Sequence, residues 1–148
     1  MNKIKIVFFV IVSLILVILL FFYLSFPEKD EDVQFEVVNV YSKRLKSKLF
    51  IKKLIWGMTS DNCLITISNS NQKENEPDEN KNYIYKGLSP FLYKISEDTL
   101  SVYVREISET PKNFSTRFKI IQTELDNSEM MELIENDNYK NKGLIKLN

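Results

Sequence analysis

The feature that most constrains this chain is an apolar run near its N-terminus. Residues 6–26 (IVFFVIVSLILVILLFFYLSF) are 21 consecutive residues without a charge, and only Ser13 and Ser25 break the run of apolar and aromatic side chains. A helix of this length rises about 31 Å at ~1.5 Å per residue, which matches a hydrocarbon core of roughly 30 Å. The sequence therefore predicts a single N-terminal transmembrane helix, with the rest of the chain held at a membrane surface.

A cleaved signal peptide is the competing interpretation of this run. Signal peptides have an apolar region of about 7–15 residues followed by small side chains at the cleavage site. This run is longer, and aromatic side chains dominate its last six residues, FFYLSF. A lipoprotein signal would need a cysteine directly after the run, whereas the only cysteine is Cys63. We therefore expect residues 1–27 to form an uncleaved signal-anchor.

The charges beside the run predict its orientation. Lys3 and Lys5 precede it, and residues 28–32 (EKDED) follow it as a short acidic segment that we expect to be a solvated stalk. Because basic residues are retained on the cytoplasmic side, the N-terminus is expected in the cytoplasm and residues 33–148 outside it. A basic cluster at residues 43–53 favours the reverse orientation, but it begins at the limit of the distance over which such charges act.

The composition excludes several classes of catalytic site. The chain has no histidine and one cysteine, Cys63. Histidine is the commonest general base and metal ligand, so its absence excludes Ser-His-Asp and Cys-His catalysis and HExxH zinc sites. A single cysteine excludes an intramolecular disulfide, so stability depends on apolar packing. Basic and acidic residues number 20 each, which gives no reason to expect nucleic-acid binding, and no cofactor or metal is predicted.

Alternating apolar and polar residues dominate the part of the chain from 33 to 148, which is long enough for one small domain. This period of two predicts strands. The predicted strands cover residues 33–41, 45–56, 63–68, 83–85, 91–95, 100–104 and 118–121, with a terminal strand at 144–147. Asp126 and Glu129 open a short capped helix. The expected fold is mainly β, a small antiparallel domain with one short C-terminal helix, and a sandwich and a curled sheet both stay open.

Residues 69–82 separate two of these predicted strands and are almost entirely polar, so we expect a mobile surface loop. Carboxylates recur within it at Glu74, Glu76, Asp78 and Glu79. Calcium loops use such spacing, but this segment lacks the glycine and the terminal glutamate of an EF-hand. Solvated carboxylates are therefore favoured over a calcium site.

One side of the second predicted strand is basic with interleaved aromatic residues. A helix would scatter the apolar residues of this segment around its axis, so the strand is favoured. The candidate face for an anionic partner comprises Arg44, Lys46, Lys48, Phe50, Lys52 and Trp56. Such a face can bind an anionic lipid surface or a polyanion by charge and stacking. The ordinary alternative is a solvated sheet face on which lysines prevent aggregation, and Lys53 falls on the opposite side.

Two further groups of residues are candidates for chemistry. Cys63 shares one apolar strand face with Ile65 and Ile67, which predicts a small buried hydrophobe, and no histidine is present to activate its thiol. Asp61 and the turn residues 97–98 are carboxylates near predicted strand ends, where an acid/base pair of the glycosidase kind is conceivable. Turn carboxylates ordinarily serve the turn itself, so this second hypothesis is disfavoured.

A set of strand and turn motifs between about residues 50 and 105 carries a resemblance to known proteins. In order, these motifs are Ile55-Trp56-Gly57, Asp61, the strand at 64–68, residues 89–94 (SPFLYK) and residues 98–100 (DTL). The chain resembles small, uncharacterised, membrane-anchored or secreted β-rich envelope proteins of AT-rich bacteria. The resemblance implies a bacterial envelope protein and no catalytic activity.

The favoured function is a non-catalytic, single-pass envelope protein whose β domain contacts another envelope protein or an anionic surface. A carboxylate-based envelope hydrolase is one alternative. A domain that faces the cytoplasm and binds anionic lipid is the other, because the basic residues would then lie beside the negatively charged leaflet. The sequence does not reveal an oligomeric state.

Overall fold

The computed structural model describes residues 3–25, 34–57, 62–87 and 89–147. Contacts divide the chain into two compact units, Met1–Asp32 and Val33–Asn148. The predicted acidic stalk at residues 28–32 lies outside the described residues.

Helix α1 spans Lys3–Ser25 and covers most of the apolar run. It contains neither glycine nor proline, and Pro27 follows two residues after its end, where a proline terminates a helix. Side chains are described at residues 8, 9 and 11–21, and the large apolar ones among them are exposed within this unit. Among the residues that the structure describes, no helix combines the length and hydropathy needed to cross a membrane. Membrane spanning by the full 21-residue run stays a prediction from the sequence.

The first sheet of the domain is an antiparallel meander in the order β1-β2-β3-β4. Its strands are β1 Gln34–Ser42, β2 Ser47–Trp56, β3 Asn62–Ser68 and β4 Tyr83–Lys86. The prediction that the second strand begins near residue 45 is wrong, because residues 43–46 form the turn between β1 and β2. Arg44 and Lys46 therefore lie in a turn and not on a strand face.

The second sheet is mixed, in the order β7-β6-β5-β8. Its strands are β5 Leu92–Ser96, β6 Thr99–Val104, β7 Lys119–Glu124 and β8 Ile145–Lys146. β5 and β6 form the predicted hairpin, with Ser96 opposite Thr99 across a two-residue turn. β6 and β7 are parallel, and this pair departs from the antiparallel arrangement expected for the domain.

Side chains of both sheets form one apolar core, and we call this two-sheet arrangement the sandwich. The first sheet contributes the buried residues Val40, Leu49, Ile51, Cys63, Ile65, Ile67, Tyr83 and Tyr85. The second sheet and its connections contribute Phe91, Tyr93, Leu100, Val102, Val104, Phe118 and Leu147. These side chains alternate along their strands with residues directed outward, as the period of two predicts.

Helices cover the outer face of the second sheet. α2 spans Asn127–Ile134, and the short α3 spans Asn138–Asn141 after a 3-10 turn at Glu135–Asp137. Asp126 caps α2 by a reciprocal capping box with Glu129, which confirms the predicted helix start. A second apolar cluster lies between these helices and the sheet and contains Leu92, Met130, Leu133 and Leu144.

Candidate anionic-partner surface

The β1–β2 turn projects a cluster of basic side chains from one end of the sandwich. Ser42 and Ser47 pair at its base, and the Leu45 backbone N–H donates to the Ser42 hydroxyl at 3.2 Å. Lys46 has a φ of 47°, a left-handed conformation that closes the turn. Lys43, Arg44, Lys46 and the adjoining Lys48 are all exposed.

This turn is joined to the second sheet by polar contacts. The Arg44 guanidinium forms an ion pair with Asp98, which lies in the β5–β6 turn. The Arg117 guanidinium donates to the Leu45 carbonyl at 3.3 Å, and the Lys119 backbone N–H donates to the Asp98 carbonyl at 2.8 Å. The β1–β2 turn, the β5–β6 turn and the segment leading into β7 therefore meet at one end of the sandwich.

We call this surface the basic end and define it by six exposed residues: Lys43, Arg44, Lys46, Lys48, Arg117 and Lys119. The β5–β6 turn adds two carboxylates, Glu97 and Asp98, and Asp98 is already paired with Arg44. The basic residues of this surface outnumber these two carboxylates, so its electrostatic potential attracts anions. Arg117 and Lys119 were not predicted as site residues. They follow the β1–β2 turn by about 70 residues in sequence, and no local sequence pattern indicates that they lie beside this turn in the fold.

Lys52 is separated from the basic end by burial. Its side chain lies on the outer face of the first sheet with a relative exposure of 2%. Its ammonium donates to the carbonyl of Gln72, in the 69–82 segment, at 2.6 Å. Burial lowers the pKa of Lys52, and the Glu74 carboxylate partly opposes this effect. Lys52 therefore holds the polar segment against the sheet and is not accessible to an external anion.

The aromatic members of the predicted face are also separated from the basic end. Phe50 and Trp56 are half-buried on β2. Trp56 lies at the opposite end of that strand from Lys48, about 27 Å away at ~3.4 Å per residue. The structure brings Arg44, Lys46 and Lys48 together at one end, and it does not join them with Lys52 and Trp56 in one surface.

The 69–82 segment makes several contacts with the domain. The Asn69 side chain donates to the Ser115 carbonyl at 2.6 Å, and the Lys73 ammonium lies 5.2 Å from the centre of the Phe35 ring. Asn82, at its end, is buried. The mobility expected of this segment stays a prediction.

The carboxylates of the 69–82 segment are engaged in local contacts. Asp78 accepts the backbone N–H of Asn80 at 2.9 Å and forms an ion pair with Lys81, and these two interactions lower its pKa. Glu79 pairs with Lys86 at 3.6 Å. Across the described part of the chain, no three acidic or cysteine side chains are placed to hold a metal ion together.

The proposed pair of catalytic carboxylates is not assembled by the described residues. Asp61 lies outside the described residues, and the adjacent Asn62 pairs with Trp56 at one end of β2. Asp98 is paired with Arg44 at the other end. The acid/base pair therefore stays a disfavoured hypothesis from the sequence.

Cys63 lies in the sandwich core, as predicted, with a relative exposure of 5%. Burial raises the pKa of its thiol, and the charge of Lys53 opposes that effect. A protonated, buried thiol is a poor nucleophile.

A polar cleft of about 490 Å³ lies beside β4. Glu79, Glu106 and Glu109 are among its lining residues, together with Lys86 and Lys112. All five of these side chains are exposed. A catalytic acid is ordinarily desolvated, whereas the described carboxylates that line this cleft are exposed.

Comparisons with known proteins add no assignment to these observations. No protein-family model matches the chain, and no curated protein or solved structure shows significant similarity to it. The resemblance to envelope proteins of AT-rich bacteria stays a prediction from the sequence.

Proposed function

We propose that this chain is a single-pass membrane protein whose extracytoplasmic β-sandwich binds an anionic partner through the basic end. The role is binding and not catalysis. The observation that carries the proposal is the concentration of six exposed basic side chains at one end of the sandwich, where the β5–β6 turn supplies two carboxylates.

The membrane anchor rests on the apolar run and its flanks. Residues 6–26 contain no charge, and α1 covers residues 3–25 without a break. Lys3 and Lys5 before the run and the acidic segment after it favour a cytoplasmic N-terminus. The sandwich would then lie outside the cytoplasm.

The electrostatics of the basic end suit a phosphate-bearing partner. Each lysine or arginine close to an anionic surface contributes about 1 kcal/mol of binding free energy, and the effect extends over a Debye length of about 8 Å at physiological salt. Lys43, Lys46 and Lys48 are adjacent in one hairpin, so they can engage one surface together. Anionic lipid headgroups and a phosphate polymer share this chemistry.

Binding is tested with the full chain held in nanodiscs of neutral lipid. Retention is measured on vesicles rich in anionic lipid and, separately, on immobilised polyphosphate, which distinguishes the two sources of phosphate. The double variant Lys46→Glu/Lys48→Glu removes about 2 kcal/mol of attraction and adds repulsion, so we expect retention to weaken at least 30-fold on at least one ligand.

The matched control is Lys112→Glu/Lys142→Glu, because both residues are exposed on other surfaces and the change in net charge is the same. We expect this control to bind as the unmodified chain does. Equal weakening of both double variants would show that net charge alone governs retention. Unchanged retention of Lys46→Glu/Lys48→Glu on both ligands would also contradict the proposed site.

The orientation is tested with a single surface thiol. Lys142 is exposed and Cys63 is buried, so a membrane-impermeant maleimide should label Lys142→Cys in intact cells and leave the unmodified chain unlabelled. Labelling only after permeabilisation would show that the domain lies in the cytoplasm and would contradict the proposed orientation. Extraction of the chain by alkaline carbonate would contradict the anchor.

A further inference from the structure

β1 is an edge strand whose protection against pairing is limited to one charge, Glu36. The described residues place one strand beside it, β2, and the nine pairs between them run without a bulge. Its sequence, QFEVVNVYS, contains no proline, glycine, lysine or arginine. Natural edge strands are ordinarily shortened, bulged or charged to prevent further pairing. β1 is instead long, regular and rich in β-branched and aromatic side chains.

The other edge of the same sheet is protected. β4 has four residues, and its Ile84 N–H donates to the Ser108 hydroxyl at 2.8 Å. The Gln122 side chain holds Ser108 by accepting its N–H at 2.9 Å and donating to its carbonyl at 3.0 Å. The contrast between the two edges indicates that β1 is the edge available for a partner.

The ladder pattern fixes which backbone groups of β1 face outward. Ile84 directs its N–H away from β3, whereas the Gly87 N–H donates to the Cys63 carbonyl on β3 at 3.0 Å. Along an antiparallel strand, the backbone N–H and C=O groups of successive residues point alternately to the two neighbouring strands. Followed through the observed registers from β4 to β1, this alternation directs the N–H and C=O of Val38 toward β2. The residues with outward N–H and C=O groups are therefore Phe35, Val37, Asn39 and Tyr41.

We propose that β1 pairs antiparallel with β1 of a second copy of this chain. A two-fold axis at Val38 joins the two four-stranded sheets into one eight-stranded sheet. In this register Phe35 lies opposite Tyr41 of the second copy, and Val37 lies opposite Asn39. Every outward N–H and C=O of the strand then has a partner, which no register shifted along the strand achieves.

The side chains of β1 suit a second copy better than a charged peptide. Its single charged residue, Glu36, lies opposite Val40 in this register and not opposite its own copy. Phe35 and Tyr41 form a cross-strand aromatic pair on each side of the axis, and such pairs favour association. Tyr41 is half exposed in the single chain, so this pairing would cover it. The inference does not depend on the anionic partner proposed above.

The first test compares two substitutions at one exposed position in the full chain in detergent micelles. Asn39→Pro removes an outward N–H, while Asn39→Thr keeps it. Sedimentation velocity should show dimers for the unmodified chain and Asn39→Thr, and monomers for Asn39→Pro over the same concentration range. A monomeric unmodified chain would overturn the proposal, as would a dimer that persists in Asn39→Pro.

The second test needs no proline and keeps the proposal falsifiable if Asn39→Pro misfolds. In a Cys63→Ala background, Val38→Cys places two thiols across the axis with Cα atoms about 4.5 Å apart, within the range of a disulfide. Gln34→Cys is the matched control, because its copies would lie about 27 Å apart. We expect a disulfide-linked dimer for Val38→Cys alone. Equal crosslinking at both positions, or none at Val38→Cys, would overturn this register.

Discussion

Gln122 on β7 makes three hydrogen bonds, one of which joins the two sheets, and its replacement gives a sharp test of the fold. Its side-chain oxygen accepts the Tyr85 hydroxyl at 2.8 Å and the Ser108 N–H at 2.9 Å, and its amide donates to the Ser108 carbonyl at 3.0 Å. Tyr85 has a relative exposure of 6%, and burial, aided by Tyr83, raises its pKa, so the hydroxyl stays protonated and donates.

Gln122→Leu should lower the free energy of unfolding by about 3 kcal/mol. An orphaned buried hydroxyl costs about 1–3 kcal/mol, and the lost bonds to half-buried Ser108 add about 1 kcal/mol. Tyr85→Phe alone should lower the free energy of unfolding by about 1 kcal/mol, because Gln122 keeps its two hydrogen bonds to Ser108. The double variant leaves no orphaned hydroxyl, so its cost should fall about 2 kcal/mol below the sum of the single costs.

These free energies are measured by urea unfolding of the full chain in micelles, followed by the fluorescence of Trp56, the only tryptophan. The change in unfolding midpoint is compared among the unmodified chain, the two single variants and the double variant. Additive costs would show that Tyr85 and Gln122 do not interact, and would contradict this contact between the sheets.

Three further predictions concern single side chains. The thiol of Cys63 should react with a maleimide only after urea unfolding, because burial raises its pKa, and rapid labelling of the native chain would contradict this. Burial lowers the pKa of Lys52 in the folded chain, so the stability of the unmodified chain relative to Lys52→Met should rise as the pH increases from the folded to the unfolded pKa. Unfolding midpoints at pH 7 and pH 10.5 measure this difference, and parallel pH profiles of the two proteins would refute it. Asp126→Ala should cost about 1 kcal/mol by loss of the α2 cap, whereas Asp126→Asn should cost less; equal unfolding midpoints for the unmodified chain and Asp126→Ala would contradict the cap.

The strands could be predicted from the sequence because burial on one face of a sheet imposes a period of two. Leu100, Val102 and Val104 alternate with half-buried neighbours, and all three lie in the core. The capped start of α2 was equally readable, since Asp126 and Glu129 act within one turn. Local geometry determines both features.

The parts that could not be predicted depend on contacts distant in sequence. The alternation of Arg44, Lys46 and Lys48 has the parity of a strand, although the first two lie in a turn. The burial of Lys52 requires the 69–82 segment to fold over the sheet, and only then does Gln72 reach it. The parallel pairing of β6 with β7 likewise joins strands separated by a long connection.

The candidate site changed most for the same reason. A face read along one strand contained Lys52 and Trp56, whereas the structure separates these residues from Lys48. In their place it brings Arg117 to the Leu45 carbonyl, beside the β1–β2 turn. Charge that is dispersed in the sequence is thus concentrated at one end of the sandwich.

A substitution of Arg117 tests the basic end most directly, because the fold and not the neighbouring sequence brings this residue to that surface. Arg117→Glu, in the full chain in neutral nanodiscs, should weaken retention on the ligand that Lys46→Glu/Lys48→Glu affects, by a factor of roughly 5 or more, as expected for about 1 kcal/mol per charge. Trp56→Ala, at the far end of β2, should leave retention unchanged. Normal retention of Arg117→Glu, together with loss in Trp56→Ala, would show that the strand face and not the basic end is the binding surface.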